Sequence, residues 1–266
     1  MSDQELKGRV AIITGSGRSI GRSMALELAA GGAAVVVNVR SNRAEGEAVV
    51  KEIEANGGRA MVAVADVVDA PAVEAMAQGA LKKFGRIDYL INNAALRQEK
   101  AIEHMSFEDW RAIIGVTLDG AFHCIKACLE SIKKSDAGSI INIGGLTGAM
   151  GAPDRAHVVT AKAGVAGLTR ALAMELAPHR ITVNTIVPSM QAKPGKPDEI
   201  PPHPIYRPLL GRAGWPTDAA PLARLFLRAS QSEERHHANC SSRGDCRDRH
   251  RRCLVALGPI RCRKAG

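Results

Sequence analysis

A short apolar run, Val10–Ile13, leads directly into a small-residue turn, Thr14–Gly21, and a helical pattern over Ser19–Ala30 follows. A strand, a tight turn and a helix in this order place a helix N-terminus beside the turn, an arrangement that binds phosphate groups. Gly15 lets the backbone approach a pyrophosphate, and Gly21 lets the helix pack against the strand. The turn alone also fits an ordinary β-turn-α unit, so its interpretation depends on the rest of the chain.

Strand and helix patterns alternate along the chain. Apolar runs suited to buried parallel strands occur six times. They are Val10–Ile13, Ala34–Val39, Ala60–Ala65, Ile87–Ile91, Ser139–Ile143 and Ile181–Val187. Between them Asp69 can cap one helix, Ser106 and Asp109 can form a capping box for another, and Pro153–Asp154 is predicted to open a helix that runs to Pro178. The repeats predict an α/β fold: a doubly wound parallel sheet of the Rossmann type, flanked by helices in a single domain.

Length and composition agree with this fold. A chain of 266 residues with 45% hydrophobic residues can form one α/β domain with a substantial core. The polar N-terminus does not resemble a signal peptide, and no apolar run approaches the ~18 residues that span a bilayer. We therefore expect a cytoplasmic protein without a membrane partner.

Much of the net charge of +9 lies near the C-terminus. Residues 231–266 contain nine Lys and Arg against four Asp and Glu, together with four of the six cysteines. The cysteine spacings match no close-paired zinc pattern, and no aromatic residues are present there to stack on bases, so we predict neither a metal site nor a nucleic-acid partner. We divide the chain into a dinucleotide-binding domain, 1–218, and a poorly ordered basic, Cys-rich tail, 219–266. A shifted reading frame is our hypothesis for the origin of this tail.

Several motifs that follow the predicted strands resemble those of the short-chain dehydrogenase/reductase family, in the same order. The matching segments are Thr14–Gly21 (the cofactor turn), Asp66–Val67 (the adenine-contacting pair), Asn92–Ala95 (the Asn-Asn-Ala-Gly motif), 138–143 (the fifth strand), 161–164 (the active-site helix) and 181–184 (the sixth strand). The resemblance covers Lys7 to Asp218. Three positions depart from the family pattern, because Ser19, Ala95 and Ser189 stand where the family has glycine.

The residues after the second strand indicate which cofactor is preferred. The segment Asn38–Ser41 contains no acidic residue that would repel a 2′-phosphate, while Arg40, Ser41 and Arg18 can bind one. We therefore predict NADP(H), with NAD(H) as the alternative. The cofactor-binding residues that the resemblance implies are Gly15, Ser16, Arg18, Ser19, Ile20, Gly21, Asn38, Arg40, Ser41, Asp66, Val67, Asn92, Ala94, Lys162 and Pro188.

The resemblance also locates the catalytic positions, and most of them carry altered side chains. The family has a proton-donating tyrosine four residues before its lysine, a serine thirteen residues before the tyrosine and an asparagine upstream. Lys162 is present here, but Val158 occupies the tyrosine position, Gly145 the serine position and Thr117 the asparagine position. Candidate replacements are His157, which can titrate near neutral pH, and the hydroxyl of Thr147, with Asp154 and Arg155 at the same helix start as further polar groups.

These features together predict an NADP(H)-dependent oxidoreductase that acts on a small carbonyl or alcohol substrate with a non-standard proton donor. The alternative is a catalytically silent NADP(H)-binding protein with a regulatory or structural role. Homo-oligomers are usual in the family. The seventh strand of the family is not recognisable after Asp218, which puts assembly in question for this C-terminus.

Overall fold

A computed structural model describes residues 4–188, 214–228 and 230. Six parallel strands form one sheet in the order β3-β2-β1-β4-β5-β6. The strands are β1 (Val10–Ile13), β2 (Ala34–Val39), β3 (Arg59–Val64), β4 (Tyr89–Asn92), β5 (Ser139–Ile143) and β6 (Thr182–Ile186). The doubly wound parallel sheet that the sequence predicts is confirmed.

Helices cover both faces of this sheet. They are α1 (Ser19–Ala30), α2 (Arg43–Ala55), α3 (Ala70–Phe84), α4 (Phe107–Ile114), α5 (Gly120–Lys133), α6 (Leu146–Met150) and α7 (Ala156–Glu175), with a π-helical turn, Gly115–Asp119, between α4 and α5. Alternate strand residues face opposite layers: Ile13 packs with α1 and α2, whereas Ile12 packs with α3 and α5. The inner strands β1, β2, β4 and β5 are therefore buried on both faces, which explains why they read as nearly continuous apolar runs.

The helix starts were predicted with mixed success. In the capping box of α4 the Asp109 amide donates to Ser106 Oγ at 3.1 Å and the Ser106 amide donates to the Asp109 carboxylate at 3.0 Å. The predicted helix from Pro153–Asp154 to Pro178 is wrong at both ends, because α7 begins at Ala156 and ends at Glu175. Asp154 has φ +56°, in the left-handed region, so a right-handed helix cannot pass through it.

The helical stretch Phe107–Lys133 is long and apolar. It joins α4, the π-helical turn and α5. Its 27 residues include an 18-residue window with a mean hydropathy of 1.5, so by length and composition alone it could cross a membrane. Core helices of globular proteins pass the same test. Here Cys124, Cys128 and Ile132 are fully buried against the sheet, so this stretch is a core helix of the fold.

The chain after 213 returns to the sheet. Residues 220–228 are helical, and Ala220, Ala223 and Leu227 are buried in the same apolar layer as α1 and α2. These residues lie beyond the boundary that we predict at 218 and pack on the first domain. The rest of the predicted tail, 231–266, and the loop that contains Ser189 lie outside the described residues, so the proposed division into two parts remains a prediction.

Candidate active site

The candidate site lies where the chain reverses its winding direction across the sheet. From β1 the chain moves outward to β2 and β3, and from β4 it moves the other way to β5 and β6, which opens a crevice at the carboxyl ends of β1 and β4. The loops after these two strands are joined by Thr14, whose hydroxyl oxygen accepts hydrogen bonds from the amides of Asn93 at 2.9 Å and Ala94 at 3.0 Å. The predicted motifs after β1 and β4 are thus brought together.

The glycine turn is closely packed on the inside and open at the helix end. Gly15 has φ +61°, and a Cβ added to Gly21 would lie 2.5 Å from the Gly15 carbonyl oxygen. The Asn93 side-chain amide donates to the carbonyl oxygens of both Thr14 (2.9 Å) and Gly15 (3.0 Å), which fixes the turn. Arg18 at the N-cap of α1 makes no side-chain capping bond, so the first-turn amides, which include that of Ile20, are available to a phosphate. These features fit a dinucleotide pyrophosphate.

Ser19 adopts an unusual backbone conformation in this turn. Its φ of +48° lies in the left-handed region, where residues other than glycine are strained. This is the position at which the family resemblance leads us to expect glycine. The serine therefore keeps the conformation of the turn at some cost in backbone energy.

Asn38 and Ser16 form a buried clamp behind the turn. The Asn38 carbonyl Oδ1 accepts from the Gly15 amide at 3.1 Å, and its Nδ2 donates to the Ala65 carbonyl oxygen at 2.9 Å. Ser16 Oγ donates to the Ile13 carbonyl oxygen at 2.7 Å and accepts from the Asn38 amide at 3.1 Å. Both side chains are buried and already hydrogen-bonded. We therefore expect them to position the turn rather than to contact a cofactor directly.

The residues predicted to select the cofactor lie at one exposed rim of the crevice. Arg18, Arg40 and Ser41 are all exposed. Sequence reasoning missed Glu45, in the first turn of α2, whose carboxylate oxygen would lie 3.1 Å from a Cβ added to Gly17. Only the fold shows that Glu45 faces the glycine turn. The rim thus combines two guanidinium groups with one carboxylate.

Asp66, Val67 and Pro188 follow β3 and β6 at the same edge of the sheet. Asp66 Oδ1 accepts from the Val68 amide at 3.2 Å, while the second carboxylate oxygen makes no hydrogen bond within the described residues. Val67 is buried, and its carbonyl oxygen lies 3.0 Å from His123 Nδ1. Pro188 is half-buried just beyond β6. These placements are compatible with the predicted contacts to an adenine and a nicotinamide.

A chain of buried amides and hydroxyls runs beneath the site. Asn92 Nδ2 donates to Asn142 Oδ1 at 2.8 Å, and Asn142 Nδ2 donates to Thr169 Oγ1 at 2.9 Å, which links β4, β5 and α7. Asn92 Oδ1 is buried without a hydrogen-bond partner among the described residues. Such a buried acceptor carries a desolvation cost and points to a donor that a bound molecule would supply.

Lys162 extends from α7 to the end of β5. Its Nζ donates to the Ile143 carbonyl oxygen at 2.6 Å. Burial is the main cause that lowers the pKa of Lys162 to about 8, and the positive charge of Arg97 lowers it further. A Cβ added to Gly145, where the resemblance leads us to expect serine, would lie 3.6 Å from Lys162 Cγ, in ordinary contact, so a side chain fits next to the lysine.

The other predicted catalytic residues occupy different surroundings. Val158 is 9% exposed and packs with Ile113 and Ala161. His157 is 0% exposed, and neither ring nitrogen has a hydrogen-bond partner among the described residues. Because the ring is enclosed, the structure does not support the prediction that His157 donates a proton to a substrate.

Thr147 and Thr117 retain their hydroxyl groups near the site. Thr147 is half-buried in α6, which packs along Lys162: a Cβ added to Gly148 would lie 2.8 Å from Lys162 Cβ. Thr117 is buried in the π-helical turn between α4 and α5. Turns of this kind occur often at functional sites. Asp154 is exposed just before α7.

An open cleft of about 420 Å³ lies beside Val158. Its lining residues come from the loop after β4 and from the start of α7; they are Arg97, Gln98, Glu99, Arg155 and Val158. The Lys100 amide donates to the Asp154 carbonyl oxygen at 2.7 Å, which ties the two segments together. Arg97 was not among the predicted site residues, because only the fold places it beside the start of α7.

Comparisons with known proteins identify the family to which this chain is similar. A sequence profile described as short chain dehydrogenase matches residues 9–196. A 3-oxoacyl-[acyl-carrier-protein] reductase from Synechocystis is 43% identical over 187 residues, which cover 70% of this chain and 76% of that protein. The BbsD subunit of a (2S)-[(R)-hydroxy(phenyl)methyl]succinyl-CoA dehydrogenase from Thauera aromatica is 38% identical, with coverage of 85% and 92%. A crystal structure of a dehydrogenase/reductase from Sinorhizobium meliloti superimposes with a TM-score of 0.80 at 32% identity and covers 86% of this chain and 91% of that one.

Proposed function

This chain belongs to the short-chain dehydrogenase family, and on that premise we propose that it is an NADP(H)-dependent oxidoreductase that interconverts a carbonyl and an alcohol. The observation that carries the proposal is the combination of an intact dinucleotide cradle with a half-buried lysine at its edge. Gly15, Gly21 and the uncapped start of α1 form the cradle. Lys162 extends from α7 to the end of β5 beside the crevice.

The charges at the rim of the crevice favour NADP(H) over NAD(H). Arg18 and Arg40 are exposed there, and neither forms an ion pair within the described part of the chain. Glu45 faces the turn with the opposite charge, which leaves a net positive rim. A 2′-phosphate pairs well with two guanidinium groups. Glu45→Gln is therefore expected to strengthen NADPH binding, and Arg40→Gln to weaken it.

Lys162 is the proton carrier in the proposed reaction. The bound nicotinamide supplies the hydride in carbonyl reduction and accepts it in alcohol oxidation. The Lys162 ammonium group gives one proton to the carbonyl oxygen as the hydride reaches the carbon, and the neutral amine takes that proton back in the reverse direction. Val158 has no proton to give, and Thr147 is the alternative source of a hydroxyl.

The lowered pKa of Lys162 gives this mechanism a pH signature. Because reduction needs the ammonium form, kcat/KM for the carbonyl substrate should fall above about pH 8, where Lys162 loses its proton. Oxidation needs the neutral amine, so kcat/KM for the alcohol should rise towards pH 8 and then level off. A lysine that only binds the cofactor ribose would not produce these opposite slopes.

The names of the relatives suggest which substrates to try first. One acts on 3-oxoacyl groups carried by a protein, and another is named for a hydroxylated succinyl-CoA. A carbonyl or alcohol on an acyl chain is therefore the substrate class that we propose. A cytoplasmic location, a small-molecule partner and a homo-oligomeric state remain predictions from the sequence.

The first experiment is a titration of the full-length protein with NADPH and with NADH, in which fluorescence and thermal shift detect binding. Selective NADPH binding supports the cofactor assignment, and binding of neither nucleotide overturns it. Turnover is then measured with 3-oxoacyl thioesters and a panel of other carbonyls. Lys162→Ala should reduce turnover by roughly 10²-fold or more, whereas Lys126→Ala, an exposed lysine on α5, should leave it unchanged.

The catalytically silent alternative is favoured by Val158 and Gly145, which offer no polar hydrogen. It predicts tight NADPH binding with no hydride loss on any carbonyl. Gly145→Ser combined with Val158→Tyr separates the two possibilities. The space beside Gly145 accepts a serine. If the wild type is an enzyme, the double variant should raise its turnover. If the wild type is silent, turnover should appear only in the double variant.

A further inference from the structure

The cleft beside Val158 has a marked charge pattern. Three of its five lining residues are ionisable, two of them arginines. Arg155 donates to the Glu99 carboxylate, and this hydrogen bond is the main cause that lowers the pKa of Glu99. Glu99 thus stays ionised and neutralises only one of the two guanidinium groups.

Arg97 is the second guanidinium group, and it has no ion-pair partner within residues 4–188, 214–228 and 230. It is exposed at the cleft. Val158, which also lines the cleft, lies one helical turn before Lys162 on α7. The positive charge of Arg97 helps to lower the pKa of both Lys162 and the lining residue Glu99. Arg97 therefore lies within electrostatic range of the lysine beside which the carbonyl would react.

Arg155 adds a second point of attachment. Its side chain is 23% exposed, and only one of its Nη atoms donates to Glu99. A guanidinium group has five N–H donors, so Arg155 keeps donors for a ligand while Glu99 holds it in place. The hydrogen bond between the Lys100 amide and the Asp154 carbonyl oxygen fixes the spacing of the two segments that carry the arginines.

We infer that Arg97, supported by Arg155, binds an anionic group of the substrate, a carboxylate or a phosphate, close to the reacting carbon. The inference rests on the proposed function, since it assigns the substrate class of the same site. An anion at this position neutralises the excess positive charge of the cleft, and paired arginines match the planar oxygens of a carboxylate. Arg97 is then a specificity-determining residue that does not itself transfer a proton.

The direct test measures binding without turnover. Full-length protein loaded with NADP⁺ is titrated by calorimetry with succinate, with its uncharged dimethyl ester and with inorganic phosphate. Succinate or phosphate should bind, and Arg97→Gln should weaken that binding roughly tenfold to hundredfold, the range expected for a hydrogen bond to a charged group. Arg170→Gln, a change at an exposed arginine on α7, should not alter this binding. Equal binding of the diester, or unchanged binding in Arg97→Gln, overturns the inference.

Comparison of succinate with phosphate shows whether the anionic group of the substrate is a carboxylate or a phosphate. Stronger binding of succinate indicates a carboxylate next to the carbonyl, and stronger binding of phosphate indicates a phosphorylated substrate. Arg97→Lys keeps the charge but loses the fork of donors, so it should recover part of the affinity. Because Arg97 is exposed, these variants should fold normally, which a thermal melt confirms.

A second arm connects the inference to turnover. Acetoacetate and its methyl ester carry the same ketone and differ in charge. The wild type should prefer acetoacetate in kcat/KM, and Arg97→Gln should remove this preference mainly through KM. If no carbonyl is turned over but Arg97→Gln still abolishes anion binding, the subsite stands and the proposed reaction fails. If turnover occurs with equal preference for both compounds, the proposed reaction stands and the subsite fails.

Discussion

Gly21→Ala tests whether the glycine turn is as tightly closed as the structure shows. An added Cβ would lie 2.5 Å from the Gly15 carbonyl oxygen, 2.6 Å from Asn93 Nδ2 and 2.8 Å from Ser16 Cα. Two of these three atoms belong to the backbone, and the third donates the bonds that hold the turn. None of them is the far end of a flexible side chain, so the turn itself would have to move.

Two opposing terms determine the size of the effect. Alanine gains at most about 1 kcal/mol over glycine within a helix. Overpacking costs typically about 1–3 kcal/mol, and contacts with backbone atoms put this site at the upper end of that range. We therefore expect Gly21→Ala to lower the free energy of unfolding by about 1–2 kcal/mol. Gly79→Ala in α3 is the matched control, because its Cβ would meet only Met61 Cε at 3.6 Å. The control should gain up to about 1 kcal/mol.

Urea unfolding of the two variants and the wild type measures the change in the free energy of unfolding. NADPH titration measures the change in cofactor affinity. Displacement of the turn should weaken NADPH binding by tenfold or more, since the first-turn amides of α1 move with Gly21. Gly79→Ala should bind NADPH as the wild type does. If Gly21→Ala shifts the urea midpoint upward as the control does, the packing argument for the turn is refuted.

Three further predictions follow from the same structure. Ser19→Gly removes a backbone strain of about 1–2 kcal/mol, because glycine adopts the left-handed conformation without penalty. Glycine also adds conformational entropy to the unfolded chain, which costs about 0.5–1 kcal/mol. Urea unfolding should therefore show a free energy of unfolding that is higher by up to about 1 kcal/mol. Asp88→Asn should lower the free energy of unfolding by about 3 kcal/mol without changing NADPH affinity, because Asp88 is 0% exposed and accepts from Arg86 Nε and from the Val10 amide, each at 2.9 Å. Arg97→Gln should move the alkaline limb of the reduction profile to higher pH, because the loss of a positive charge raises the pKa of Lys162; an unmoved limb would contradict the assignment of that limb to Lys162.

The sheet was predictable because burial of a strand on both faces leaves a continuous apolar run in the sequence. Strands such as Ala34–Val39 are buried on both faces, so β-branched and small apolar residues follow one another without polar interruption. The turn after β1 was predictable for a related reason, since close backbone approach and a positive φ at Gly15 leave few residue choices. Patterns of this kind are fixed by contacts that any chain with this topology must make.

The site itself was only partly predictable, because its decisive contacts join distant segments. Asn38 lies near the end of β2, a position that suggested a cofactor contact, yet the fold encloses its side chain between the Gly15 amide and the Ala65 carbonyl oxygen. His157 sits next to Val158 in sequence, but the helix turns the two side chains to different surroundings, with His157 fully enclosed. Arg97 gains its significance only when its loop is placed beside α7.

The dinucleotide cradle and the surroundings of Lys162 differ in what they do for the fold, and this difference would allow the second to vary while the first stays intact. Residues of the cofactor cradle also hold the sheet together: Asn93 fixes the turn, and Thr14 links the loops after β1 and β4. Changing them costs stability as well as binding. Val158 packs in an apolar cluster, and the space beside Gly145 tolerates either a hydrogen or a hydroxymethyl group. Side chains at these two positions can therefore change the proton chemistry while the fold and its dinucleotide cradle stay as they are.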